Sequence, residues 1–306
     1  MSKERAIAVV ILLLLFTWPN GPEVHSSAFA GGHFIDNPLD LVVLDWDQQV
    51  LRKKGYSIDT TEKLEQIWKS ERGYVKDCAL RLLAAKLGQK AIPLLRDVLT
   101  SDPERFVRIN MAKALWHLGD KSGLAQMQKD YAALMRAVSA AEANLAGVEE
   151  AEKQRANRNL RYWTDEALTV AEVLADFGDL SGFDLAAKVA LDPNIGAYVR
   201  ISAYKVLFEI SMEDPILLAK EGRDPGEVLI KAAEKEADEL ALGYLVRGAQ
   251  LYDRQDTRRM LLEKLLASPH VIGKTREDVN LALKWLDEEQ KRAREKLQSG
   301  QPSSGG

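Results

Sequence analysis

The feature that most constrains this chain is a junction that occurs twice. LGDKSGL at 118–124 and FGDLSGF at 177–183 share the pattern apolar-Gly-Asp-x-Ser-Gly-apolar. Such a pattern reads as the end of one helix followed at once by the start of another. Gly119 and Gly178 can adopt the left-handed backbone of a helix C-cap without Cβ strain. Ser122 and Ser181 stand where a hydroxyl caps the helix that follows. LGQKAI at 87–92 is a weaker copy that places Gly88 before Gly119.

A second pair supports the first. FVRINMAKALWHL at 106–118 aligns with YVRISAYKVLFEI at 198–210, with Val, Arg, Ile, Lys and Leu recurring in place. Val107, Met111, Ala114, Leu115 and Leu118 trace one face of a helix. Trp116 and Phe208 occupy matching positions and are expected in the core. Asp102-Pro103 and Asp192-Pro193 precede these helices, where a turn is needed. Ser268-Pro269 through Leu286 is a degenerate third copy.

These residues resemble HEAT repeats, in particular the short bacterial HEAT-like type. The matching positions are Asp102-Pro103, Val107-Arg108, Ala112 and Ala114 with Leu115, and Leu118-Gly119-Asp120. The resemblance is clear over residues 72–130 and 164–215. It implies an all-α fold, an α-α superhelix built as a HEAT-like solenoid of antiparallel helix pairs. One such pair cannot bury its apolar stripe alone, so neighbouring pairs must stack to close a core.

The interval from Gly119 to Gly178 is nearly twice that from Gly88 to Gly119. The excess, residues 136–163, has no proline and is rich in helix formers. Tyr131, Leu134, Val138, Ala141, Leu145 and Val148 recur every three or four positions. This predicts an elongated helical hairpin projecting from the stack, with its turn near Gly147 or near Asn157-Arg158-Asn159.

The ends divide the chain further. Lys3 and Arg5 precede the uninterrupted apolar run Ala6–Phe16, and Ala28 and Ala30 supply small residues at −3 and −1 of a cleavage site. Residues 1–30 therefore read as a secretory signal peptide. The apolar run is shorter than the roughly 20 residues a bilayer-spanning helix requires. The expected location is periplasmic or secreted; the alternative is a membrane anchor formed by the uncleaved segment. Residues 31–70 are expected to form N-terminal capping helices, started by Asp36-Asn37-Pro38 and by a capping box at Asp59–Glu62. There, Asp45 and Asp47 are expected to flank a buried Trp46. The repeat domain then spans 71–298, and 299–306 has the composition of a flexible tail.

Composition narrows the function classes. Net charge over the 306 residues is −4, and no basic run exceeds Arg52-Lys53-Lys54, which argues against nucleic acid. The single cysteine, Cys78, sits in an apolar helical stretch and reads as a buried small hydrophobe. His33, His117 and His270 lack helical His or Cys partners, and His117 is expected at the edge of a helix. No metal site, phosphate loop, cofactor or enzymatic activity is expected. The expectation is a scaffold that binds a protein partner, with no membrane span after cleavage. The alternatives are a homo-oligomer that self-assembles through the 136–163 arm and an enzyme with a dispersed site.

Overall fold

The computed structural model describes residues 38–212, 215–252 and 254–298. The expected signal peptide with Ala28 and Ala30, His33, Asp36-Asn37 and the 299–306 tail lie outside the described residues.

Among the described residues the regular elements are all helical, with no strand. The described residues open with α1 (Leu41–Lys53), α2 (Thr61–Ser70) and α3 (Gly73–Leu87). A 3-10 turn, Gly88–Ala91, leads into α4 (Ile92–Ser101), followed by α5 (Arg105–His117), α6 (Ser122–Gly147) and α7 (Glu150–Asp176). Then come α8 (Phe183–Ala190), α9 (Ala197–Ser211), α10 (Pro215–Lys220) and α11 (Pro225–Lys235). The last are α12 (Glu239–Leu251), α13 (Gln255–Ala267) and α14 (Gly273–Gln298).

Two rows of helices emerge from the packing. In the first, α3, α5, α7, α9, α12 and α14 each touch the next member. Cross-links advance in step along both partners of a pair. The Gly73 N–H donates to Glu104 just before α5, and Asn110 of α5 donates to Asp77 of α3. Arg105 pairs with Glu166, and Lys113 with Asp176 at 2.6 Å. Asp165 and Ala171 of α7 likewise lie beside Ser202 and Val206 of α9, and Arg200, Lys205 and Phe208 of α9 meet Glu236, Tyr244 and Gly248 in turn, so neighbours from α3 to α12 run in the same direction. In the second row α4 touches α6, α8 touches α11, and α11 touches α13.

The position of α5 inside the first row explains its burial. From Val107 to Leu115 every residue except Arg108 is buried, not only the face traced from sequence. A helix with neighbours on both sides and a partner row beneath has little surface left for water. Phe208 is buried as expected. Trp116 is half-buried and stacks on Phe177, with centroids 4.6 Å apart and planes at 25°. The ring of one junction thus rests on the ring of the next.

The twin junctions also work differently from their first reading. Gly119 and Gly178 have φ of 81° and 76°. The Asp120 N–H reaches the Leu115 carbonyl at 2.8 Å, and Asp179 reaches Leu174 at 2.8 Å, closing a Schellman motif at each helix end. The hydroxyls of Ser122 and Ser181 do not cap the next helix, which starts after Lys121 in one junction and after Gly182 in the other. Asp120 Oδ1 accepts from the Ser122 N–H at 2.8 Å, and Asp179 Oδ1 from the Ser181 N–H at 2.8 Å. Asp120 thereby holds the first N–H of α6, whereas Ser181 lies two residues before α8 and Asp179 closes only the turn that leads there.

The second glycine of each junction serves close packing. A Cβ on Gly123 would come within 2.8 Å of the Ala112 carbonyl, and one on Gly182 would overlap the Ala171 methyl. At Gly88, φ of 55° is combined with ψ of −131°, and no Asp follows. The chain there passes into the 3-10 turn instead.

One further expectation is corrected near the N-terminus, the capping box. The first described helix begins at Leu41, with Asp40 accepting from the Val42 N–H at 2.8 Å. The cap of α2 is Thr60, accepting from Lys63, while Asp59 is turned toward Ser57 at 2.6 Å.

Candidate functional site

The Asp45-Trp46-Asp47 segment has the reverse of its expected arrangement. Trp46 is 39% exposed, and Asp47 is fully buried. Helix α1 points Leu44, Asp47 and Leu51 inward, because Asp47 meets Arg81 of α3. The guanidinium grips it twice, Nε to Oδ2 at 2.8 Å and Nη2 to Oδ1 at 2.6 Å. Arg81 also pairs with Asp77 one turn earlier. Trp46 covers the outside, edge-on to Tyr74 at 4.9 Å.

Two fully buried carboxylates therefore share one guanidinium, and the excess negative charge falls on Asp77. Its Oδ2 also accepts from Asn110 at 2.8 Å, whereas its Oδ1 has no donor. Burial pushes the Asp77 carboxyl up to about 6, against the opposing pull of Arg81. Burial also raises the Cys78 thiol, helped by the nearby Asp47 charge. A buried thiol held in its protonated form is inert. This cluster ties α1, α3 and α5 together.

A second buried ion pair ties α9 to the start of α12. Arg200 donates to Glu236 through Nε at 2.8 Å and Nη2 at 2.6 Å. Tyr204 donates at 2.6 Å, and the Ala237 and Asp238 N–H groups each at 3.0 Å. Burial alone would raise this carboxyl; the donors outweigh it and hold the group below its usual range. Every lone pair is engaged, as in a structural clamp. His117 lies exposed at the last position of α5, as expected, and His270 is exposed before α14. Among the described residues no group of His, Cys, Asp and Glu could hold a metal ion, and no helix is long and apolar enough to cross a membrane.

Two surface features remain. The first is the hairpin of α6 and α7, of 26 and 27 residues, against 13 for α5. The turn lies at Val148-Glu149, the first of the two sites expected, and Asn157–Asn159 fall within α7. Leu134, Val138 and Ala141 line its seam from α6 and Ala156 from α7. Lys188 of α8 braces it at Glu142, 2.6 Å away. Beyond that brace only Leu145 and Val148 are half-buried, and residues 149–155 are exposed. On the outer face Arg155, Arg158 and Tyr162 line up at i, i+3 and i+7. Tyr198 of α9, 76% exposed, lies one turn before Ser202, which bonds Asp165 of α7 at 2.7 Å.

The second is a groove of about 580 Å³ between the end of α12, the start of α13 and the middle of α14. Its floor is Leu262, Ala282 and Leu286, all buried. Trp285, 53% exposed, forms one wall. Arg258 pairs with Glu289 and donates from Nη1 to the Gln250 carbonyl at 3.3 Å. Arg292 has only the Glu288 carbonyl at 3.3 Å, and among the described residues no carboxylate pairs with it. The sequence reading passed over this groove because three helices build it. A trace was nevertheless available, since Trp285, Glu289 and Arg292 share one face of α14 at i, i+4 and i+7.

No protein-family model, no curated protein and no solved structure matches this chain.

Proposed function

We propose that the chain is an exported helical-repeat scaffold, a HEAT-like α-solenoid, that binds a protein partner in the periplasm or outside the cell. The row from α3 to α14, parallel as far as α12, and its partner row support the solenoid reading, because stacked helix pairs give that arrangement. The observation that carries the binding role is the α6–α7 arm. Its tip extends beyond the brace at Glu142 and contributes little to the core. The arm presents Arg155, Arg158 and Tyr162 on one face, and Arg and Tyr are enriched among residues that anchor interfaces.

The test is mild cross-linking of the tagged chain in its native envelope fraction, beside a variant that lacks residues 143–154 and carries alanine in place of Arg155, Arg158 and Tyr162. A discrete cross-linked protein that disappears with the deletion supports the reading. A partner retained by both chains moves the docking surface off the arm.

The same exposed arm supports a second reading, self-assembly. Light scattering on both chains separates the two, since an oligomer that becomes monomeric on deletion favours assembly.

A further inference from the structure

We propose that the groove between α12, α13 and α14 is a peptide-binding site, selective for an extended segment that carries a carboxylate beside a bulky apolar side chain. This rests on the partner-binding reading above and names the chemistry of one contact.

The volume fits. About 580 Å³ falls within the roughly 300–1,000 Å³ typical of ligand clefts. The lining divides into three chemistries. Leu262, Ala282 and Leu286 form an apolar floor under the exposed face of Trp285. That is a seat for an aliphatic or aromatic side chain, whose burial supplies most of the affinity.

The charge complement points to an anion. The lining holds two guanidinium groups, Arg258 and Arg292, and one carboxylate, Glu289. Arg258 already pairs with Glu289, which leaves the Arg292 charge uncompensated at the site. Arginine presents a planar fork of donors that matches a carboxylate with two parallel bonds.

The third chemistry favours a peptide over a simple fatty or aromatic acid. Gln250 and Gln255 line the rim. A side-chain amide both donates and accepts, which complements the C=O and N–H of an extended backbone.

A library of random heptapeptides displayed on phage is the probe, panned against the full chain. A blocked synthetic peptide of the enriched sequence is then titrated by Trp fluorescence and calorimetry. Enriched peptides should carry Asp or Glu next to a large apolar residue. Arg292→Gln should weaken the synthetic peptide at least tenfold, as should replacing its acid by the amide. Both Arg292 and Trp285 lie at the surface, so Arg292→Gln and Trp285→Ala should leave the thermal midpoint unchanged. Trp285→Ala should also remove the fluorescence response.

The proposal is overturned if panning enriches nothing, if enriched peptides lack acids, or if Arg292→Gln and Trp285→Ala bind as tightly as the parent. It is also overturned if light scattering shows a dimer that Trp285→Ala converts to a monomer, which would mean that a second copy closes the groove. An arm-dependent partner without groove-selected peptides would sink this proposal alone. Groove-selected peptides without an arm-dependent partner would sink only the docking role of the arm.

Discussion

Asp77 carries the clearest electrostatic signature in the molecule. Its carboxyl, normally near 3.8, is pushed up to about 6 by burial, so the folded chain binds this proton more tightly than the unfolded chain. Stability from this group is therefore complete below pH 3.8 and is lost as pH rises through about 6. Urea midpoints should rise on acidification from pH 7 to 5, and Asp77→Asn should flatten that slope. A second expectation concerns Gly182, where an added methyl meets Ala171. Gly182→Ala should cost about 1–3 kcal/mol by overpacking. Gly147→Ala, with nothing within 4 Å, should be neutral or slightly stabilising in the same denaturation assay. These residues also show what a sequence can and cannot disclose. The Gly119 and Gly178 caps were legible because cap chemistry is local. The inward turn of Asp47 was not, because its cause is Arg81, 34 positions away. The capping role went to Asp120 rather than Ser122 because the Schellman turn decides which side chain faces the free N–H groups.

Among the elements, the α6–α7 hairpin was legible as an interruption of the repeat interval, and its seam as a run of apolar residues three or four apart. Its turn position was left open, since Gly147 and Asn157–Asn159 offer similar local chemistry. The structure resolves this through partnering: Ala156 is buried in the seam, so α7 must already be under way there. Because the tip beyond Glu142 adds few buried side chains, removal of residues 143–154 should shift the thermal midpoint by no more than a few degrees. A collapse of the midpoint on differential scanning calorimetry would mean that the arm is part of the core. The α12–α14 groove was hidden from sequence for the opposite reason. Its residues are spaced regularly on α13 and α14, but only the packing of both against α12 shows that they enclose a space.

Across the whole molecule the core is not uniform. A large cluster runs from α3 to α14, while Leu44, Leu51, Ile58, Leu64, Ile67 and parts of α3 form a smaller one. The two meet at half-buried Trp68, Leu87 and Leu94. Local stability follows the density of buried contacts, so hydrogen exchange should release α1 and α2 before α5 and α9. Equal protection would show that the chain opens as one unit. The parallel course of the first row has an electrical consequence. Each helix carries about half a positive charge at its N-terminus, so parallel neighbours bring like poles to one rim. That rim is matched by carboxylates. Glu104 holds the first N–H of α3 at 2.9 Å. Asp102 and Asp192 brace the turns that lead into α5 and α9, each at 2.9 Å. Glu236 and Asp238 bind the N–H groups before and within α12. The rim's dipoles are thus met by the chain's own acids, leaving little field there to draw an outside anion.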